Sequence, residues 1–138
     1  MMRVYSPDSI RFRINSFFVL TKPAIIRTLL ITTVPTMFVA EEGTPSLWLI
    51  IATMVGGSLA AAGANSFNMV LDADIDKKMN RTSNRPLVTG AITPKEATFF
   101  AFVLEIGAFI WLLSFVNLFS AFLAISATAF YVFVYTMW

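Results

Sequence analysis

The chain has 138 residues, of which 57% are hydrophobic, and its mean hydropathy is +0.75. Ten basic and eight acidic residues leave a formal net charge of +2. Such a composition is too apolar for an ordinary soluble domain, so we expect the lipid bilayer as a partner and no nucleic acid. The sequence contains no cysteine and no histidine, which excludes disulfides and histidine metal ligands within it.

Four apolar runs approach the roughly 20 helical residues needed to cross the hydrocarbon core of a membrane. They cover about residues 25–40, 47–67, 97–115 and 119–138. Residues 1–22 are polar and basic, and they lack the apolar core of a signal peptide. We therefore predict an all-α, polytopic membrane helix bundle with four transmembrane helices.

The basic residues indicate how these helices are oriented. They occupy two regions only: Arg3, Arg11, Arg13, Lys22 and Arg27 near the N-terminus, and Lys77, Lys78, Arg81, Arg85 and Lys95 between the second and third runs. Basic flanking segments remain on the cytoplasmic side of a membrane. We expect a protein of the cytoplasmic (plasma) membrane, with its N-terminus and the Asp-rich loop at 68–96 in the cytoplasm.

The most informative segment follows the second apolar run. Asn68, Asp72 and Asp76 are spaced four residues apart, so on a helix they lie one above the other on one face. Polar groups at or inside the membrane boundary are costly and usually functional. An amide and two carboxylates in one stripe suit Mg²⁺, which binds a few carboxylates together with substrate phosphates. The spacing predicts a metal site at Asp72 and Asp76, with Asn68 as a third catalytic residue.

Basic residues follow this polar stripe directly. Lys78, Arg81 and Arg85 lie where they can surround a phosphate group, and arginine suits bidentate phosphate contacts. We assign these three residues to diphosphate binding. Lys22 and Arg27 could also reach the diphosphate from the first helix, but extension of long basic side chains toward water at the membrane interface explains them as well, so they are left out of the site.

Two further acidic residues are interpreted separately. Asp74 is two residues from each predicted metal ligand and so faces the opposite side of a helix, where we expect a solvated or salt-bridged acid. Glu105 lies inside the third apolar run. It is an interhelical hydrogen-bond partner, a carboxyl group protonated in place, or a group that lines a channel, and the sequence leaves these alternatives open.

The chain resembles the UbiA family of intramembrane prenyltransferases, whose first aspartate-rich motif is written NxxxDxxxD. The matching segments are residues 20–23 (LTKP), Thr32-Thr33, residues 72–76, residues 78–87 with Gly90, and residues 135–138. The acidic motif alone indicates the superfamily. Its combination with LTKP is most similar to the branch of the family that modifies heme.

The resemblance implies a bundle of about nine transmembrane helices around a central cavity, of which this chain would supply four. It implies that a second aspartate-rich motif on a later cytoplasmic loop completes the metal site, so we expect a missing C-terminal half and an inactive chain without it. It also implies that a farnesyl group passes from farnesyl diphosphate to a vinyl group of heme B, giving heme O, with Mg²⁺ assisting ionisation of the diphosphate.

Two other interpretations remain open. Another UbiA enzyme would use the same metal site to prenylate a quinone-precursor aromatic acid or a chlorin. Alternatively, the chain is an inactive membrane fragment that lacks the second motif and serves at most as a packing partner. The residues themselves identify neither the acceptor nor the length of the prenyl chain.

Overall fold

A computed structural model describes residues 9–137, and most of this part of the chain is helical. Its elements are α1 (Ile10–Leu20), α2 (Pro23–Ala40), α3 (Leu47–Leu71), α4 (Ala73–Asp76), α5 (Pro86–Thr89), α6 (Pro94–Phe115), α7 (Leu118–Phe130) and a π-helix (Tyr131–Thr136). Arg3 of the N-terminal basic cluster and Trp138 at the end of the fourth predicted span lie outside the described residues.

Four helical stretches are long and apolar enough to cross a membrane: α2, α3, α6, and α7 together with the π-helix. Large apolar side chains on them are open to the surroundings, with Ile31 73%, Phe99 72% and Phe119 72% exposed. Contiguous apolar surface of this extent is unfavourable in water and is expected toward lipid. The predicted all-α membrane bundle is confirmed, and the protein is an integral membrane protein.

The four spans run alternately up and down. At one end, the rings of Trp48 and Phe115 meet edge to face at 5.5 Å, which places the α2–α3 and α6–α7 connections side by side. At the other end, Arg13 forms a 2.5 Å salt bridge with Glu96 at the start of α6. We call this second end the polar end, because it also carries the Asn68–Asp76 segment.

Local signals fix where the spans begin. Ser46 caps α3 by accepting a hydrogen bond from the Leu49 backbone N–H at 3.2 Å. Thr93 and Glu96 form a reciprocal capping box at the start of α6, where Pro94 occupies the first turn. The capping box sets the position of α6 against the connection that precedes it.

The centre of the bundle is the contact between α3 and α6. Small residues of α3 face α6, and Trp111 donates from its indole nitrogen to the Ala52 carbonyl at 2.9 Å. Small side chains allow close approach of helices in lipid, where packing and hydrogen bonds drive association. The buried small residues of α3 are Ala52, Gly56, Ala60, Ala62, Gly63 and Ala64.

The connection between α3 and α6 is shorter and more ordered than the predicted loop at 68–96. α3 continues to Leu71 because its backbone hydrogen bonds extend past the apolar run, and α6 begins at Pro94. The remaining residues, 72–93, contain the one-turn helices α4 and α5. The Asp-rich segment is therefore helical at its start.

Helix α1 was not among the predicted helices. Ser9 caps this helix, Leu20 is fully buried, and Phe17 packs against Phe100 of α6 at 5.1 Å. Its 11 residues are too few to cross a membrane, so length gave no signal. α1 closes the polar end of the bundle beside α3 and α5.

Candidate active site

The polar stripe keeps its predicted register. The Asp72 N–H donates to the Asn68 carbonyl at 2.9 Å, and the Asp76 N–H donates to the Asp72 carbonyl at 2.8 Å. These i to i−4 bonds carry the helical path across the boundary between α3 and α4, at which Asp72 is the cap. The three side chains therefore leave successive turns of one helical path.

Asn68 is buried and links three elements. Its side-chain nitrogen donates to Asp72 Oδ2 at 2.8 Å and to the Thr136 hydroxyl of the π-helix at 3.2 Å. Its oxygen accepts a hydrogen bond from the ammonium group of Lys22. Thr136 in turn donates to the Tyr131 carbonyl at 3.0 Å, so the π-helix presents this hydroxyl toward the site.

Lys22 lies in the joint between α1 and α2, which is held against α3. The Asn65 side-chain nitrogen donates to the Thr21 carbonyl at 2.9 Å, and Lys22 itself has a left-handed backbone with φ 51° and ψ 65°. Burial, reinforced by the charge of Arg85, lowers the pKa of Lys22 below its usual value, while Asp72 and Asp76 act in the opposite direction. Lys22 is therefore close to both predicted metal ligands.

Asp76 is 4% exposed and is paired with a cation. Its Oδ2 lies 2.5 Å from Nη1 of Arg85, whose side chain is 23% exposed. The intervening loop is folded so that this pair forms: the Thr82 hydroxyl donates to the Asp76 carbonyl at 3.0 Å, and the Arg85 N–H donates to the Thr82 carbonyl at 3.0 Å. A buried carboxylate requires such compensation of its charge.

The structure groups Asn68, Asp72, Asp76 and Arg85, which we call the polar cluster. The other two predicted diphosphate ligands lie outside it. Lys78 and Arg81 are exposed on the loop, whereas Arg85 turns inward to Asp76. Asp74 is exposed and forms a 3.3 Å salt bridge with Lys77, the solvated and paired arrangement expected for it. The structure thus brings together Asn68, Asp72, Asp76 and Arg85, and leaves the two outer basic residues free to reach a ligand from the solvent side.

The donor set, Asp72 and Asp76, offers the oxygen ligands that hard divalent cations prefer. Within residues 9–137, no three acidic or histidine side chains converge on one point. Asp72 and Asp76 bond to their neighbours through Oδ2. Two carboxylates are nevertheless sufficient protein ligands for Mg²⁺ when substrate phosphates complete the coordination shell. The residues present therefore fit a metal–diphosphate complex.

An apolar cavity of about 390 Å³ lies between α2, α3 and the fourth span. Asn65, one turn before Asn68, and Tyr131 mark the side of the cavity nearest the polar cluster. The other lining residues are mostly small or aliphatic: Ile25, Leu29, Gly57, Ala60, Ala61, Ala64, Ala124, Ala127 and Thr128. The apolar cavity therefore ends near the polar cluster, whose own residues do not line it.

The hydrogen bond from Lys22 to Asn68 was not predicted from the sequence. A lysine before a proline at the start of a span is expected at any membrane interface, so composition carried no distinguishing signal. The contact with Asn68 joins residues 46 positions apart and becomes visible only once the helices are placed. The one available hint was that Lys22 belongs to the LTKP segment on which the family resemblance partly rests.

The sequence is also similar to known proteins. The UbiA prenyltransferase family model matches residues 29–138. A protein named protoheme IX farnesyltransferase from Streptomyces coelicolor is 53% identical over 125 residues, which are 91% of this chain and 40% of that relative. One of the same name from Mycobacterium sp. (strain KMS) is 48% identical over 132 residues, 96% of this chain and 43% of the relative.

The chain therefore spans about two fifths of the length of the curated relatives it matches. No solved structure shows a significant match to it. The family model covers most of the chain, and the relatives match nearly all of it. These matches agree with the resemblance carried by the aspartate-rich motif, and the chain belongs to the UbiA prenyltransferase family.

Proposed function

We propose that the protein carrying this chain is a protoheme IX farnesyltransferase. It transfers a farnesyl group from farnesyl diphosphate to a vinyl group of heme B and so forms heme O. The observation that carries this proposal is the pair Asp72 and Asp76, held beside Lys22 and Arg85 at the end of an apolar membrane cavity. Relatives 48–53% identical to the chain bear the name protoheme IX farnesyltransferase, which supports heme as the acceptor.

Asp72 and Asp76 are the proposed ligands of a divalent cation, which we take to be Mg²⁺. When bound, this ion supplies Lewis-acid stabilisation of the leaving diphosphate. Asn68 supports Asp72 through their 2.8 Å hydrogen bond. Lys78, Arg81 and Arg85 are proposed to donate charge-assisted hydrogen bonds to the diphosphate oxygens, which lowers the cost of breaking the bond to the farnesyl carbon.

The cavity between α2, α3 and the fourth span is proposed to hold the farnesyl chain. Its lining is nearly all apolar, which suits an isoprenoid and excludes water from an allylic cation. In the reaction, the bond between farnesyl C1 and diphosphate oxygen breaks and a new carbon–carbon bond to the heme vinyl group forms. Water then supplies the hydroxyl group of the product and releases a proton.

The remaining parts of the proposal concern location and partners. The positive-inside pattern supports an orientation in which the N-terminus and the polar end face the cytoplasm, and we propose that the membrane is the plasma membrane. The relatives are more than twice as long as the region they share with this chain. We propose that the second aspartate-rich motif of the site comes from a C-terminal half of that kind.

The test is an acceptor panel with the full-length protein in lipid vesicles. Labelled farnesyl diphosphate and Mg²⁺ are supplied with heme B, a quinone-precursor aromatic acid or a chlorin, and the products are identified by mass spectrometry. Labelled heme O from heme B alone is expected. Labelling of the aromatic acid or chlorin in place of heme would retain the metal site and overturn the proposed acceptor.

A further inference from the structure

The amide of Asn68 has three polar neighbours whose chemistry fixes its orientation. Lysine ammonium groups can only donate hydrogen bonds, so the atom that meets Lys22 must be the amide oxygen. An ionised carboxylate can only accept, so the atom that meets Asp72 must be the amide nitrogen. The Thr136 hydroxyl is compatible with either atom. Lys22 and Asp72 therefore select the same one of the two possible orientations.

We propose that Lys22 is a positioning residue, which holds the Asn68 amide so that its nitrogen faces Asp72 and its oxygen is withheld from the metal. The proposal rests on the proposed function in one respect, namely that Asp72 is a metal ligand. It gives Asn68 the role of a donor that orients Asp72, in place of a third oxygen ligand.

The ammonium group of Lys22 is held in place by the joint between α1 and α2, which is fixed at several points. Leu20, two residues before Lys22, is fully buried, and Pro23 directly after it begins α2. The Thr21 carbonyl is bound by Asn65, which lies one helical turn before Asn68 on α3. Two asparagines of α3 therefore hold consecutive residues of the joint, one through its backbone and the other through its side chain.

Without Lys22, no partner described for residues 9–137 holds the amide oxygen, and among the charged neighbours only Asp72 still selects the orientation of Asn68. The amide could then turn its oxygen toward a cation bound at Asp72, where metal–oxygen contact would be favourable. An arginine at the same position keeps the positive charge and the donor character, so it should preserve the orientation. A methionine of similar length removes both.

The first test observes the amide directly. Protein labelled with ¹⁵N at asparagine is placed in lipid nanodiscs, and the side-chain NH₂ signal of Asn68 is assigned by its loss in Asn68→Ala. In Lys22→Met we expect this signal to move or broaden, and in Lys22→Arg to return toward its original position. Arg27→Met, which removes an exposed basic residue in the first turns of α2, is the matched control and should leave the signal unchanged.

The signal of Asn117, which caps α7 at the opposite end of the bundle, reports in the same spectra whether the variants are folded. An unchanged Asn68 signal in folded Lys22→Met would overturn the proposal. A change that Lys22→Arg fails to reverse would also overturn it, since the effect would then come from packing and not from the donated hydrogen bond.

A second test asks whether Lys22 acts through Asn68, by a double-mutant cycle on Mn²⁺ affinity measured by electron paramagnetic resonance. The direct effect of removing a positive charge is the same with and without the Asn68 amide, so the cycle cancels it. We expect Lys22→Met to change the Mn²⁺ dissociation constant by factors that differ at least about threefold between the wild-type and Asn68→Ala backgrounds. Equal factors would overturn the proposal. If the wild-type protein binds no Mn²⁺, the proposed metal function fails, and the amide spectra alone decide the orientation.

Discussion

Two buried carboxyl groups in this molecule are stabilised in different ways. Asp76, at the polar end, is 4% exposed and forms an ion pair with Arg85. Glu105, inside α6, is 8% exposed and accepts a hydrogen bond from the Thr128 hydroxyl of α7 at 3.0 Å. The first is compensated by a charge and lies outside the membrane-spanning helices. The second is held by a neutral donor between membrane helices, so burial of an acid does not by itself indicate a catalytic group.

The shape of the α3 surface explains how the Glu105 carboxyl group is accommodated. A Cβ atom added at Gly63 of α3 would lie 2.6 Å from Glu105 Oε1, so the absence of a side chain there makes room for the carboxyl group. Among the alternatives for Glu105, the interhelical hydrogen bond is the arrangement observed. The carboxyl group also lines a separate apolar cavity of about 310 Å³ between α3, α6 and the fourth span.

The largest expected effect is on chemistry at the polar end. Asp72→Asn keeps the size of the side chain but weakens its binding to a metal. Because a Lewis-acid metal contributes several kcal/mol to stabilising a leaving group, we expect heme O formation by the full-length protein to fall about 1,000-fold. The measurement is product formation with limiting Mg²⁺.

Asp74→Asn is the matched control, since it removes an exposed acid two residues away that is paired only with Lys77. Its rate should stay within about twofold of the wild-type rate, as a surface pair contributes little. Heme O formation by Asp72→Asn at the wild-type level would show that Asp72 is not a metal ligand. The polar end would then differ from the surroundings of Glu105 in charge but not in function.

Next in size is a loss of stability when the ion pair is broken from one side. Arg85→Met leaves the Asp76 carboxylate buried without its cation, which we expect to cost about 3 kcal/mol in the free energy of unfolding. Unfolding of the protein in mixed micelles by increasing denaturing detergent gives this value.

Asp76→Asn added to Arg85→Met removes the uncompensated charge, so the double variant should regain part of the lost stability. If Arg85→Met alone has the same free energy of unfolding as the wild type, the buried Asp76 does not need the charge of Arg85. Asp76 would then no longer differ from Glu105 in requiring a charged partner.

The sequence was sufficient for the parts of the structure that depend on local repetition. The spacing of Asn68, Asp72 and Asp76 predicted one helical face, and the backbone hydrogen bonds preserve it across the cap at Asp72. Length and apolarity likewise predicted four spans. What it could not supply were contacts between distant segments, such as Lys22 with Asn68 and Thr128 with Glu105.

Residue type alone was also insufficient within the loop. Arg85, Arg81 and Lys78 were equivalent candidates for the diphosphate, yet only Arg85 turns inward, because Thr82 folds the loop back onto Asp76. Such a fold depends on a hydroxyl-to-carbonyl bond six residues apart, for which there is no sequence periodicity. The assignment of Lys78 and Arg81 to the diphosphate remains a prediction.

A smaller loss of stability is expected for Gly63→Ala, which tests whether the space at Gly63 determines the position of Glu105. Gly63→Ala places a methyl group against the carboxyl, and overpacking of this kind costs about 2 kcal/mol in the free energy of unfolding. Gly57→Ala is the matched control on the same helix, because a Cβ there meets nothing within 4 Å. Equal unfolding free energies for the two variants would show that α3 and α6 can separate without loss, and that the fit around Glu105 is not specific.

The smallest effect is expected for Thr128→Val, which removes the hydroxyl donor to Glu105 and keeps the shape of the side chain. Hydrogen bonds between membrane helices contribute about 0.6 kcal/mol on average, so the variant should lose about that amount of stability, while Thr128→Ser should lose less. The two variants are compared by the same detergent unfolding as Arg85→Met. A loss for Thr128→Val near 3 kcal/mol would equal the effect of removing a cation from a buried carboxylate. Glu105 would then depend on its single partner as strongly as Asp76 depends on Arg85, and burial with a charge and burial with a hydroxyl would no longer be distinguishable in this protein.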